Sequence, residues 1–181
     1  MFPARGRARD VSIKEHPAPT VVRWFPMTRV LFVCHGNICR SPLAEGIFRD
    51  MVERQGLSDR ISCASCATSD EHTGQSMDPR SDRLLREHGI VVEGKTARRL
   101  NAADFEDGAF DYILGMDRSN LSRIEALRPA DYGGTVGRLK DYSVGGDVED
   151  PWYSGNFPSV YDDIQAGCLG LLRHIRETEG I

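Results

Sequence analysis

The residues best suited to chemistry lie in one short stretch of the chain. An apolar run from Val30 ends at Cys34, and Arg40 follows six positions later, directly before Ser41 and Pro42. This pattern predicts a buried strand, a tight loop and the start of a helix. In such a turn the backbone N–H groups of the loop point at a bound anion. The stretch therefore predicts a phosphate site with a cysteine at its base.

Cys34 and Arg40 are the candidate reacting pair. A cradle of N–H groups, a helix N-terminus and a nearby guanidinium all favour a thiolate over a thiol, and the thiolate is the form that attacks phosphorus. Arg40 presents a planar set of donors that matches two phosphoryl oxygens and stays charged at neutral pH. We therefore expect Cys34 to be the nucleophile and Arg40 to hold the substrate and stabilise the transition state.

The residues around this pair have matching loop chemistry. Gly36 allows the backbone to approach an anion, and Asn37 tolerates a left-handed conformation. Ser41 is expected to cap the helix with Pro42 at its first position, and its hydroxyl is a candidate donor to Cys34. A chance spacing of one cysteine and one arginine is the alternative. The strand before the loop and the helix after it disfavour that alternative.

A second candidate for catalysis lies later in the chain. Asp150 follows a polar loop, precedes Pro151 and is followed by Trp152 and Tyr153. If this loop folds over the cradle, Asp150 can protonate a departing phenolate and later accept a proton from water. The two aromatic side chains could then stack on a substrate ring. Asp-Pro pairs also begin turns without any catalytic role. The presence of the Cys34 loop favours the interpretation of Asp150 as a general acid.

The composition predicts one soluble enzyme domain. The 181 residues are 40% hydrophobic and 28% charged, which is ordinary for a globular protein. A net charge of −4 and a pI near 5.7 disfavour nucleic-acid binding. No apolar stretch approaches the length of a membrane span. Five cysteines, the need for a reduced Cys34 and the lack of a secretory signal predict a cytoplasmic protein.

The N-terminal segment differs from the rest of the chain. Residues 1–27 carry five basic residues, two acidic residues and four prolines without sustained periodicity. We expect a disordered or non-native N-terminal extension there, with Met27 as a candidate start of translation. A basic targeting arm is the alternative. Residues 28–181 form the predicted domain.

From Val30 onwards strand-like and helix-like segments alternate, which is typical of an α/β fold with a parallel sheet. The strands predicted after the first are 61–65, 110–116 and 136–139. The predicted helices are 42–55, one from Pro79 to Gly89, one around 121–127, and 157–178. Ligands of such sheets bind beyond the carboxyl ends of the strands, which is where Cys34 lies.

The string from Cys34 to Pro42, CHGNICRSP, together with Asp150-Pro151-Trp152-Tyr153, resembles the low-molecular-weight protein tyrosine phosphatase family. The similarity runs over essentially all of 28–181. It implies a single three-layer α/β domain with a four-stranded parallel sheet flanked by helices and the phosphate-binding loop after the first strand. It also implies hydrolysis of phosphotyrosine and small aryl phosphates through a phosphocysteine intermediate, without metal or other cofactor.

The resemblance assigns roles by position. Cys34 is the nucleophile, Arg40 the phosphate ligand and Asp150 the general acid, with Ser65 in a hydrogen-bond network behind the loop. The implied phosphate- and substrate-binding residues are His35, Gly36, Asn37, Ile38, Cys39, Ser41, Trp152 and Tyr153. The implied partners are a phosphotyrosine-containing protein and a phosphate or other oxyanion in the loop. We expect a monomer or weak dimer.

The chain departs from the family pattern at the edge of the site. Lys95 stands where many members have a histidine that braces the loop through Asn37. That bracing is then either absent or made by an ammonium. Glu71 and His72 occupy a stretch that supplies an aromatic wall in several members, which predicts a more polar pocket edge.

The other cysteines have more than one interpretation. Cys39 could form a reversible disulfide with Cys34 that protects the thiolate, as in relatives, or it could fill the underside of the loop as a small buried residue. Cys63 and Cys66 have a Cys-x-x-Cys spacing. Because they lie in a strand and have no second pair, we do not expect a zinc site.

Rival functions share this loop. Arsenate reductases of similar fold need further cysteines near the strand at 110–116, whereas the only late cysteine here is Cys168, on an apolar helix face. Protein arginine phosphatases tend to carry threonine where Ile38 stands and lack an aromatic pair like Trp152 and Tyr153. A non-catalytic phosphotyrosine-binding module is expected to lose the nucleophile or the acid, and both are present.

Overall fold

The continuous apolar run of the first strand lies at the centre of a parallel sheet. In the computed structural model, which describes residues 27–181, four parallel strands are arranged in the order β2-β1-β3-β4. Their bounds are β1 Thr28–Cys34, β2 Ile61–Ala67, β3 Tyr112–Gly115 and β4 Thr135–Arg138. Val33 lies opposite Cys66 of β2 on one side and Gly115 of β3 on the other. The predicted four-stranded parallel sheet is confirmed.

Helices follow the strands and cover both faces of the sheet. Their bounds are α1 Arg40–Arg54, α2 Pro79–Glu87, α3 Arg118–Leu127, α4 Pro151–Ser154 and α5 Phe157–Glu179. Two short 3-10 helices span Ala102–Phe105 and Leu139–Tyr142. Asp78 and Asp117 cap α2 and α3 by accepting hydrogen bonds from main-chain N–H groups of the first turn.

Successive side chains of β1 belong to two different hydrophobic cores. Phe32 packs with residues of α1 and α5 on one face, whereas Leu31 packs with Ile124 of α3 on the other. Phe32, Leu31 and Ile124 are completely buried. A strand that is apolar on both faces requires helices on both faces, which produces the predicted three layers.

The local boundaries differ from prediction at a few points. β2 extends two residues further, to Ala67, and β3 is shorter than the predicted 110–116. Helix α1 begins at Arg40, so the prediction that Ser41 caps it is wrong. Cys39 holds the cap position without a side-chain hydrogen bond. Ser41 lies fully buried in the first turn, where its hydroxyl contacts Cys34 instead of a helix N–H.

Between residues 27 and 181 no helix is both long and apolar enough to cross a membrane. The predicted N-terminal extension lies outside the described residues, apart from Met27. All four strands and both cores fall within 28–181, the range proposed as the domain.

Candidate active site

The loop after β1 is shaped around the sulfur of Cys34. Asn37 has a φ of +56°, the left-handed conformation expected for it, and its main-chain N–H donates to Cys34 Sγ at 3.2 Å. Gly36 has no room for a side chain, because a Cβ atom there would lie 2.6 Å from Cδ2 of His72. The strand, the tight loop and the helix start predicted from the sequence are therefore all present at this position.

A buried network of hydrogen bonds surrounds Cys34. Asn37 Nδ2 donates to Ser41 Oγ at 2.9 Å and to Ser65 Oγ at 2.8 Å, which uses both of its protons. The hydroxyl of Ser65 donates to Glu45 Oε2 at 2.6 Å. Ser41 Oγ lies 3.0 Å from Cys34 Sγ. Since Ser41 accepts from Asn37, its own proton can go to the sulfur or to the main-chain oxygen of Cys66 at 3.3 Å, and the sulfur is the nearer acceptor.

Glu45 is a buried carboxylate that the sequence reasoning missed. It is 6% exposed and faces two cations, Lys95 at 3.3 Å and Arg49 at 2.5 Å. Lys95 also donates to the main-chain oxygen of Ser65 at 3.0 Å. An ammonium thus supports the loop, through Glu45 and Ser65 rather than through Asn37 directly. A signal existed in the sequence, because Glu45 is an acidic residue on the apolar face of α1.

Arg40 lies buried between two carboxylates. Its Nη1 donates to Asp117 Oδ2 and its Nη2 to Asp150 Oδ2, both at 2.6 Å, and Nη1 also donates to the oxygen of Val148 at 3.1 Å. Burial by itself lowers the pKa of Arg40, but the negative charges of Cys34, Asp150 and Asp117 outweigh it and raise that pKa. The guanidinium therefore stays charged at the point where an anion would bind.

Asp117 was not among the predicted site residues. It lies between β3 and α3, and its Oδ1 accepts a hydrogen bond from the N–H of Asn120 at 2.7 Å. One carboxylate therefore both caps α3 and orients Arg40. A polar residue at the carboxyl end of a strand beside β1 was the available signal.

Asp150 caps a short helix and also lies at the cleft. Its Oδ1 accepts from the N–H of Trp152 at 3.1 Å, which opens α4 as a turn-forming Asp-Pro pair would. Its Oδ2 pairs with Arg40, and 27% of the side chain is exposed. The structure therefore brings Asp150 to the cradle, although Cys34 and Asp150 lie far apart in the sequence.

The rim of the cleft is partly aromatic and partly polar. Trp152 is 52% exposed and Tyr153 is 87% exposed. The ring of His72 lies 6.0 Å from that of Trp152. His35 Nε2 lies 3.2 Å from Glu71 Oε2, which joins the phosphate loop to the opposite wall. The cleft encloses about 260 Å³ and is lined by Cys34, His35, Gly36, Ile38, Cys39, Arg40, Glu71, His72, Asp150, Trp152 and Tyr153.

Cys39 lies in a small apolar cluster under the loop. It packs with Ile38, Ala97 and Phe157, and burial, followed by the charge of Asp78, raises the pKa of its thiol to about 12. All five cysteines are free thiols. Within 27–181 there is no group of three or more histidine, cysteine, aspartate or glutamate side chains that could hold a metal ion.

Comparison with known proteins gives one consistent result. Residues 29–180 match the family model described as low molecular weight phosphotyrosine protein phosphatase. A relative from Bacillus subtilis, low molecular weight protein-tyrosine-phosphatase YfkJ, is 40% identical over 154 residues, which cover 83% of this chain and 97% of the relative. The low molecular weight phosphotyrosine protein phosphatase of Sus scrofa is 40% identical over 153 residues, which cover 81% of this chain and 95% of the relative.

Solved structures agree with the relatives. The crystal structure of YfkJ from Bacillus subtilis superposes with a TM-score of 0.80 at 39% identity and covers 84% of this chain and 97% of that chain. A structure described as a Drosophila arginine phosphatase superposes with a TM-score of 0.75 at 33% identity, and the match covers 81% of this chain and 97% of that chain.

Proposed function

The chain belongs to the low molecular weight phosphotyrosine protein phosphatase family, and we propose that it hydrolyses protein phosphotyrosine and small aryl phosphates through a phosphocysteine. The observation that carries this proposal is the convergence of Cys34, Arg40 and Asp150 on one cleft. The sulfur lies at the base, the guanidinium is buried beside it, and the carboxylate reaches over from another loop.

The first chemical step transfers the phosphoryl group to sulfur. The phosphoryl oxygens take the place of the Asp150 carboxylate on Arg40, which offers two parallel donors. The Cys34 thiolate attacks phosphorus, the S–P bond forms and the P–O bond to the phenol breaks with its electron pair moving to oxygen. Asp150 takes up a proton when the phosphoryl group displaces it from Arg40, and it passes that proton to the departing phenolate oxygen.

The second step returns the enzyme to its starting state. Water attacks the phosphocysteine, Asp150 accepts its proton, the P–S bond breaks and the electron pair returns to sulfur. The Ser41 hydroxyl and the Asn37 N–H then stabilise the thiolate, since both lie within hydrogen-bonding distance of Sγ. Inorganic phosphate leaves from the loop.

The rim favours an aromatic leaving group on a protein substrate. Trp152 and Tyr153 offer exposed rings next to the acid, and a phenyl ring can stack on them. Phosphotyrosine in a protein brings its phosphorus deep enough to reach the base of the cleft. We assign the site to a cytoplasmic enzyme, since Cys34 must stay reduced to form the reacting thiolate. We expect that enzyme to act as a monomer or weak dimer.

Arginine phosphatase activity is the second candidate, because one structural neighbour is described by that activity. Ile38 and the Trp152–Tyr153 pair favour a phenyl ring over a guanidinium. Arsenate reduction is less well supported. Cys168, the only cysteine late in the chain, is completely buried, so it cannot easily relay a disulfide from Cys34.

The test is a substrate panel combined with two substitutions. We expect metal-free hydrolysis of phosphotyrosine peptides, with little activity on phosphoarginine and no arsenate reduction. Cys34→Ser should abolish turnover, and Asp150→Ala should reduce kcat/KM for phenyl phosphate about 10²- to 10⁴-fold, as for a lost general acid. Asp59→Ala changes an exposed residue and is the control, so its kcat/KM for phenyl phosphate should equal that of the unaltered chain. Undiminished activity in Cys34→Ser, or failure to trap phosphorus on sulfur, would refute the proposal.

A further inference from the structure

The segment that carries Asp150 has little regular structure of its own. Residues 143–150, here called the acid loop, connect the 3-10 helix Leu139–Tyr142 to α4. Gly145 and Gly146 have φ values of +78° and +91°, and Val144 is 88% exposed. Such a segment must be held by specific contacts if the carboxylate at its end is to keep a fixed position.

The acid loop begins with main-chain hydrogen bonds from Ser143 and Gly145 to Lys140 and ends with Asp150 on Arg40. Between these ends, three further hydrogen bonds hold it against the rest of the domain. The N–H of Val148 donates to the oxygen of Met116 at 2.8 Å, and Arg40 donates to the oxygen of Val148. The third contact comes from a side chain outside the reacting group: Arg138 Nη1 donates to Asp147 Oδ1 at 2.8 Å.

Arg138 is well placed to act as an anchor. It is the last residue of β4 and pairs in register with Gly115, so it lies at the same end of the sheet as Cys34. Its side chain is only 16% exposed. Asp141 accepts from Nη2 at 2.8 Å, which orients the guanidinium and leaves Nη1 for Asp147.

We propose that Arg138 is a positioning residue that, by anchoring Asp147, holds the general acid Asp150 over the cradle. This inference rests on the proposed function, since it concerns proton transfer to the leaving group. Arg138 acts through the acid loop rather than on the substrate. Efficient proton transfer requires the donor within hydrogen-bonding reach of the leaving oxygen, so a small displacement of Asp150 slows the step.

The leaving group distinguishes positioning from general structural support. Phenolate is a poor leaving group and needs the proton, whereas 2,4-dinitrophenolate departs without it. Because the Asp147 side chain is 43% exposed, its contact with Arg138 should stabilise the position of the acid loop only modestly. For Arg138→Gln in the full chain, we expect kcat/KM to fall about three- to fivefold with phenyl phosphate and to stay nearly unchanged with 2,4-dinitrophenyl phosphate.

Two further variants complete the test. Asp147→Ala removes the acceptor of the Arg138 hydrogen bond and leaves the Arg138–Asp141 contact in place, so it should reproduce the selective loss even if Arg138→Gln folds poorly. Lys140→Gln is the matched control, because it breaks the 2.8 Å contact between the Lys140 side chain and Asp163 of α5. The acid loop bonds only to the main-chain oxygen of Lys140, which the substitution keeps. This control should leave unchanged the ratio of kcat/KM for phenyl phosphate to kcat/KM for 2,4-dinitrophenyl phosphate.

The double variant Arg138→Gln with Asp150→Ala separates this inference from the proposed function. Without the acid, loss of the anchor should cause no further decrease with phenyl phosphate. An equal loss on both substrates, or a full additional loss in the Asp150→Ala background, would overturn the role of Arg138. A wild-type chain that hydrolyses neither substrate would instead overturn the proposed function.

Discussion

Cys34 and Cys39 lie five positions apart in one loop but have different chemical surroundings. The sulfur of Cys34 receives an N–H from Asn37 and lies against the hydroxyl of Ser41. Cys39 packs against Phe157, and burial, together with nearby negative charge, raises its pKa to about 12. The same residue type is therefore a candidate nucleophile at one position and a packing residue at the other.

These surroundings predict selective alkylation. Because its pKa is raised, Cys39 remains a thiol at every pH well below about 12, whereas thiol reagents react with thiolates. Iodoacetamide should therefore label Cys34 first between pH 6 and 9, with labelling of Cys39 slow throughout. Peptide mass spectrometry measures both rates, and the Cys34→Ser variant should lose the fast phase. Labelling of Cys39 as fast as that of Cys34 would contradict this assignment.

Support for the phosphate loop comes from elements that are distant in the sequence. Glu45 belongs to α1 and Ser65 to β2, while Lys95 lies in the segment after α2. The ammonium reaches the carboxylate of Glu45 and the main chain of Ser65, so it joins the helix to the strand behind the loop. Asn37 connects this junction to the loop itself.

Removing the ammonium should therefore lower both stability and activity. In Lys95→Met, the buried Glu45 keeps Arg49 as a cation and Ser65 as a hydrogen-bond donor. We therefore expect a loss of about 1–3 kcal/mol in the free energy of unfolding, less than for a buried pair broken outright. Urea denaturation of the variant and the unaltered chain measures this difference in the free energy of unfolding. Arg54→Met, which removes an exposed pair from the same helix, should cost below about 0.5 kcal/mol.

A double variant tests the mechanism of this loss. Adding Glu45→Gln to Lys95→Met removes the uncompensated charge and should restore part of the stability, although not the loop geometry. If the two substitutions are simply additive in the free energy of unfolding, the ion pair is not the source of the effect.

The molecule as a whole concentrates its functional groups at one end of the sheet. Cys34, the proposed nucleophile, ends β1, Asp117 lies shortly after β3, and Arg138 ends β4. Parallel strands bring their carboxyl ends to one edge, so residues separated by long stretches of chain meet there. The described residues 27–181 supply every side chain of the candidate site.

This arrangement predicts that the N-terminal segment is dispensable for catalysis. A chain beginning at Met27 should retain kcat/KM for phenyl phosphate within about twofold and the same urea midpoint, since both cores and the site lie beyond that residue. Steady-state kinetics of the truncated and full chains measures this. A loss above about tenfold would indicate that residues 1–26 contribute to the site or to the fold.

Local patterns in the sequence were sufficient to predict most strands and helices and the loop that follows Cys34. The apolar run before Cys34 and the spacing to Arg40 are short-range features, because strand and helix periodicity and turn chemistry act between near neighbours. The residues around Asp150, the presence of the Cys34 loop and the resemblance to a family then pointed to Asp150. Small errors remained at boundaries, such as the cap of α1, where a buried contact replaced the expected one.

The partners of the charged groups depend on tertiary packing. Arg40 meets Asp117 across 77 positions, and Lys95 meets Glu45 through the packing of α1 on β2. Such pairs require two distant segments to be brought together, and the cost of burying a charge then selects the partner that compensates it. The amino-acid order alone identified which residues could react. The folded chain decided which charges orient them, because that choice depends on distances that no local pattern specifies.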